Sequence, residues 1–269
     1  MKIRLGLSPC PNDTFIFDAL IHQKIDTEGL EFEFFFADIE QLNQWAFEGK
    51  LDVTKLSFNT FAKCISKYVL LDSGSALGRK CGPILIKKPS KILSPQSNIA
   101  IPGEHTTANL LLGISNPEYI NKFEVIFSEI ENEILMGNFD AGLIIHENRF
   151  TYQQKGLVSE HDLGEFWHEK TGLPLPLGAI VVKRLLHSNL QNKVNRILKK
   201  SVEYAFENPE SSLEFVRHHA QEMDLHIINE HINLYVNNYT ISLGEEGRQA
   251  VQLLFKYVGV SEKPERIFL

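Results

Sequence analysis

Ten histidines and three cysteines are the groups in this 269-residue chain best suited to move a proton or hold a metal. His146 stands apart by its position. It follows Ala141-Gly142-Leu143-Ile144-Ile145, a short apolar run expected of a strand covered on both faces. It precedes the polar Glu147-Asn148-Arg149. In open α/β sheets, ligands bind beyond the carboxyl ends of strands. An imidazole placed there titrates near neutral pH and can serve as a general base. Glu147 is adjacent, but neighbours on a strand point to opposite faces, so it is not the expected orienting partner. Other histidines, among them His105, His161, His218, His219 and His231, lie on polar or helical segments and are expected to face solvent.

Lys55 is the second unusual residue, because it interrupts the apolar run 51–56. An unpaired buried ammonium costs several kcal/mol, so Lys55 must pair with an acid or face a cleft. Ser57 follows it, with no nearby His or Asp to mark a nucleophile and no nucleophile elbow. Thr106 and Thr107 open a helix whose free N–H groups suit an anion, although N-capping is the plainer role. The same two roles are open to Ser8-Pro9-Cys10-Pro11-Asn12-Asp13, with Asn12 or Asp13 expected as caps. Cys10, Cys64 and Cys81 have no metal-like spacing and are expected in the core. His218-His219 lacks the i, i+4 spacing of a helical zinc pair, and there is no His-Glu-x-x-His. No metal is expected. No glycine-rich phosphate loop or dinucleotide fingerprint occurs, so no nucleotide cofactor is expected.

The elements around these residues repeat. Phe47-Glu48-Gly49-Lys50-Leu51-Asp52, leading to Phe58, matches Leu135-Met136-Gly137-Asn138-Phe139-Asp140, leading to His146. Each is a helix, a glycine cap, an apolar residue, an aspartate and a buried strand. A weaker match pairs residues 5–9 with 99–103, each a strand turning into a helix. Two α/β lobes with a cleft between them follow, each with a small parallel sheet. The chain is expected to cross out near 84–88 and back near 177–182. Residues 1–88 with 177–269 would form one lobe, and 89–176 the other. Within the second lobe, 123–127 reads as a strand and 128–136 as a helix, with Ser128 and Glu131 spaced as a capping box. From residue 190 onward the chain reads as helical, including a helix over 209–222.

Composition bounds the function. With 43% hydrophobic residues the chain can build one large core or two small ones. A net charge of −7 argues against a nucleic-acid surface. Few cysteines, no apolar signal core and no membrane segment make the cytoplasm the expected location.

Five stretches resemble the 1,4-dihydroxy-6-naphthoate synthase family of the futalosine route to menaquinone. They are Leu7-Ser8-Pro9-Cys10-Pro11-Asn12-Asp13-Thr14-Phe15, Asp52-Val53-Thr54-Lys55-Leu56-Ser57, Gly78-Arg79-Lys80-Cys81-Gly82-Pro83, Pro102-Gly103-Glu104-His105-Thr106-Thr107-Ala108, and Ile145-His146-Glu147-Asn148-Arg149-Phe150-Thr151-Tyr152. The resemblance implies a two-lobed fold like type II periplasmic binding proteins, with a helical C-terminal segment. It implies a carbon–carbon lyase without a cofactor, acting on a small-molecule carboxylate, cyclic dehypoxanthine futalosine. It implies His146 as proton acceptor, and substrate contacts from Lys55, Leu56, Ser57, Thr107 and Ala108. Two other functions share this frame: a small-anion solute-binding module, and a sister enzyme such as a chorismate dehydratase.

Overall fold

The computed structural model describes residues 2–220 and 224–269. Its strands are β1 (Lys2–Leu7), β2 (Glu31–Phe36), β3 (Val53–Ser57), β4 (Tyr68–Leu70), β5 (Ala76–Gly78), β6 (Ile84–Lys87), β7 (Ile99–Ile101), β8 (Lys122–Glu124), β9 (Ala141–Ile144), β10 (Val158–Asp162) and β11 (Leu175–Lys183). One sheet has the order β2-β1-β3-β11-β4, with β5 also paired to β11. The other has the order β10-β6-β9-β7-β8. In each, three strands run parallel and a fourth returns antiparallel: β11 against β3, and β6 against β9.

Helices cover the sheets and close the cleft. They are α1 (Pro11–Ile21), α2 (Ile39–Glu48), α3 (Phe58–Cys64), α4 (Thr107–Ser115), α5 (Ile130–Met136), α6 (Asn148–Thr151), α7 (Leu163–Thr171), α8 (Ser188–Glu207), α9 (Leu213–His219), α10 (Leu225–Tyr235), α11 (Asn238–Ile241), α12 (Gly244–Val258) and α13 (Pro264–Ile267). The repeat has a physical basis. Gly49 and Gly137 end α2 and α5 in the left-handed conformation, at φ 67° and 88°, where glycine carries no Cβ penalty. Asp52 then accepts the N–H of Arg4 at 3.0 Å, and Asp140 accepts the N–H of Asn98 at 2.8 Å. Each aspartate ties the entry of its strand to the start of the parallel neighbour.

Several expectations change. The expected boundary put residues 84–88 in the first lobe, but β6 pairs with β9 and β10 in the second sheet. A short run buried on both faces fits either sheet, and periodicity does not name its partner. The strand expected over 123–127 stops at Glu124, and Phe127 begins a 3-10 turn. Ser128 and Glu131 make no capping box: α5 has no side-chain cap, and Glu131 is buried, accepting from Asn148 and Lys155. The helix expected over 209–222 divides into a 3-10 turn at Pro209–Ser212 and α9, with Glu222 outside the described residues.

One hydrophobic cluster joins the sheets, with Leu56, Phe58 and Phe61 packed in the same core as Leu85, Ile99 and Leu111. A second lies between the first sheet and the buried stripe Val194, Ile197, Leu198 and Val202 of α8. Among the described residues, no helix is long and apolar enough to cross a membrane.

Candidate active site

The strand ends named by the repeat meet at one cleft. Ser8, Asn12, Lys55 and Ser57 line it from the first sheet, and Thr106, Thr107, Ala108, Ile145 and His146 from the second. It holds about 650 Å³ of unfilled space, open mouth included.

His146 sits just past β9 at φ 57°. Histidine tolerates this left-handed region better than most residues, but holding it still costs about 1–3 kcal/mol. The following residues supply the restraint. Asn148 donates to the buried Glu131. Arg149 donates to the carbonyls of Gly82 and Lys80, at 2.9 and 3.3 Å, and pairs with Asp162 at 2.6 Å. Phe127 sets its ring edge against the imidazole, with centroids 4.9 Å apart. The imidazole keeps a partly exposed surface toward the cleft, yet protein crowds it from every other side. That desolvation lowers its pKa to about 4, with Asp13 opposing the shift and Lys55 adding to it. At neutral pH the ring is unprotonated.

Lys55 does both things that its position allowed: it lines the cleft and pairs with Asp13. Asp13 is fully buried and caps nothing; Cys10 is the N-cap residue of α1, without a side-chain cap. Asp13 instead accepts from Ser8 N at 3.1 Å, Ser8 Oγ at 2.8 Å, Asn12 Nδ2 at 2.8 Å and Lys55 Nζ. A buried ion pair holds only when its remaining lone pairs are satisfied, and these donors do that. The Lys55 stem lies against Gly178 of β11, where a Cβ would collide with it.

Ser57 Oγ accepts from Asn43 Nδ2 at 3.1 Å, and its N–H donates to Asn43 Oδ1 at 3.0 Å. Asn43 is fully buried on α2 and was not expected at the site. Its position on the buried stripe with Leu42 and Ala46 was the available signal. Leu56 does not line the cleft, because it points to the other face of β3 and joins the core. Thr106 caps α4, accepting from Asn109 N at 3.1 Å. Thr107 Oγ accepts from Asn59 N at 3.3 Å and donates to the Leu177 carbonyl at 3.2 Å, which ties α4 to both α3 and β11. Thr107 and Ala108 begin the helix, where N–H groups lack intrahelical partners and the dipole favours an anion.

Glu40 of α2 bridges the lobes. It accepts the His105 N–H at 3.1 Å, and Gly103 leaves no room for a Cβ beside its carboxyl. Burial raises its pKa to about 7.

Two further groups lie near the site. Cys10 is buried as expected, and it also lies beside His146: its Sγ, a His146 nitrogen and a Glu147 oxygen lie within 4.8 Å of one another. Burial, with Glu147 nearby, pushes the thiol well above its ordinary pKa, so a metal there must first displace its proton. His231, expected at the surface, is fully buried on α10, and its Nε2 lies 3.0 Å from Asn12 Oδ1. Tyr235, one turn on, lines the cleft. The helical tail therefore contributes to the site.

The profile of a family described as "Menaquinone biosynthesis" matches residues 3–259. A 1,4-dihydroxy-6-naphtoate synthase of Thermus thermophilus is 44% identical over 253 residues, which span 94% of this chain and 92% of that protein. One of the same name from Streptomyces coelicolor is 40% identical over 255 residues, spanning 93% and 90%. A solved structure of an Archaeoglobus fulgidus protein superposes with a TM-score of 0.91 at 35% identity, covering 96% of this chain and 97% of that one. The alkanesulfonate-binding protein SsuA from Xanthomonas axonopodis pv. citri, bound to MOPS, superposes with a TM-score of 0.71 at 12% identity, covering 99% and 98%. A Candida albicans protein with the generic periplasmic-binding-protein fold does so at 0.70 and 10%, covering 98% and 92%. At such identities these two establish the fold alone, the two-lobed periplasmic-binding-protein-like fold.

Proposed function

Because the chain belongs to the menaquinone-biosynthesis family, we propose that it is a carbon–carbon lyase acting as a 1,4-dihydroxy-6-naphthoate synthase. Its substrate is cyclic dehypoxanthine futalosine, and its products are the naphthoate and a three-carbon sugar fragment. The observation that carries this reading is His146, unprotonated at neutral pH and held at the cleft in a conformation that costs energy.

Breaking a carbon–carbon bond beside a carbonyl or hydroxyl needs a base to start electron flow. His146 takes the proton, and aromatisation of the product drives the cleavage. The resulting imidazolium is stabilised by Asp13, whose charge favours the protonated ring. The substrate carboxylate sits at the first turn of α4, against Thr107 and Ala108. Lys55 and Ser57 hold the sugar side from the opposite wall, their geometry preset by Asp13 and Asn43. Lobe closure excludes water from the reacting centre.

The test is turnover of the cyclic substrate by purified protein without added metal or cofactor, followed by naphthoate absorbance. Absence of product under saturating substrate overturns the lyase. One competitor is a solute-binding module that captures a small anion without chemistry. Thermal stabilisation by a ligand recovered unchanged supports that competitor. Turnover of chorismate in place of the cyclic substrate supports the sister enzyme.

A further inference from the structure

We propose that His231 is a positioning residue of the cleft, fixing the Asn12 amide and, through Asp13, the placement of Lys55 and Ser8. It acts on a site formed by the first and second sheets from a helix that belongs to neither.

His231 lies on the buried stripe Ile227, Ile228, His231 and Tyr235 of α10, with its ring 4.7 Å from that of Tyr235. Its Nε2 faces Asn12 Oδ1 at 3.0 Å. The amide orientation is set at its other end, where Asn12 Nδ2 donates to Asp13 Oδ1 at 2.8 Å. An amide oxygen needs a donor, so Nε2 carries the His231 proton. His231 Nδ1 then holds the lone pair, and it is buried without a hydrogen-bond partner among the described residues. Burial, with His146 and Lys55 nearby, pushes the pKa of His231 well below its ordinary value, in agreement with a neutral ring.

The consequence runs inward. Asp13 Oδ1 is shared by Asn12 Nδ2 and Lys55 Nζ, while Ser8 holds Oδ2 through its N–H and hydroxyl. A flipped Asn12 would turn an oxygen toward the Asp13 carboxylate, and the repulsion would move the aspartate. Lys55 and Ser8, both cleft residues, would move with it. In the flipped state His231 Nε2–H would face the amide NH2 instead of its oxygen, so the ring weights the amide further toward the observed orientation. It must also stay neutral, because the His146 ring lies 6.1 Å away and gains a proton during turnover.

The kinetic half of the test rests on the lyase reading, and the spectroscopic half does not. Nitrogen-15 NMR of labelled wild-type protein is expected to find His231 as the Nε2–H tautomer, without titration down to pH 5. An Nδ1–H tautomer, or titration near pH 6.5, overturns the proposal. In kinetics, His231→Leu is expected to lower kcat about tenfold, as small misplacements do, and His231→Gln, which restores a donor, to recover most of it. Asn12→Ala is expected to reproduce the loss, and the double variant to be no worse than either single one. Losses that multiply, or a folded His231→Leu with unchanged kcat, overturn the proposal. If His231→Leu does not fold, Asn12→Ala paired with His231→Gln completes the cycle. Wild-type protein that turns over no substrate sinks the lyase reading and leaves the tautomer to decide His231.

Discussion

The two walls of the cleft descend from one repeated pattern but are built differently. The first wall is made of side chains. Ser8, Asp13, Lys55, Ser57 and Asn43 are all buried, and each is held by another of the group. The second wall offers the first turn of α4 and one histidine in a left-handed conformation. The repeat copied the frame, with Gly49 and Gly137 as caps and Asp52 and Asp140 as ties. It did not copy the chemistry. Phe58, the counterpart of His146, is a fully buried core residue that opens α3. The first wall is therefore the more heavily cross-braced, and the base proposed above stands in the second.

This contrast can be broken in several ways. The largest effect is expected from His146→Ala, which should lower kcat by about 10²–10⁴-fold, the usual worth of a positioned base, while the melting temperature barely moves. Full turnover by this variant would remove the second wall's role. In the wild type the base must be unprotonated, so kcat/KM should hold as pH falls and drop only near pH 4. An acid limb near 6.5 would show an ordinary, solvated histidine.

Lys55→Met is expected to do the reverse and unfold the protein more readily, by about 3–5 kcal/mol in urea titrations, because Asp13 is left buried and uncompensated. Adding Asp13→Asn should recover part of that loss. Asn43→Ala removes both bonds to Ser57 and should cost about 1–3 kcal/mol. An unchanged denaturation midpoint would mean that the first wall does not depend on it. Glu40→Gln is the smallest effect. The pKa of Glu40 in the fold is about 7, above its ordinary 4.5. Its contribution is therefore present below pH 4.5 and lost as pH rises through 7. The Gln variant should match wild type in acid and exceed it in melting temperature at pH 8.

Much of this was legible in the sequence, and the omissions share a cause. Position alone marked His146, because an apolar run ending in a polar cluster identifies a strand end. Lys55 was marked because a lysine in a buried run needs a partner. The partner was not legible: Asp13 looked like a helix cap, and its true role depends on how β1 and β3 lie side by side. Asn43 and His231 were missed although both sit on buried helical stripes. A polar residue on an apolar stripe signals an internal bond, but the sequence does not say with what. The same holds for Ile84–Lys87: its apolar run predicts a buried strand but not which sheet it joins, since pairing is non-local.

The place of β11 bears on how the chain assembles. It lies between β3 and β4 in the middle of the first sheet, pairing Gly178 with Ser57 and Val181 with Leu70, more than a hundred residues apart. The second sheet, by contrast, is complete once residue 162 has been made. During synthesis the first sheet cannot be completed until β11 has been made, after every strand of the second. Such long-range pairing is slow to form. Ser57 gains its β11 partner only when that strand is in place, and Tyr235 of α10 comes later still, so the cleft cannot be complete until more than four-fifths of the chain exists.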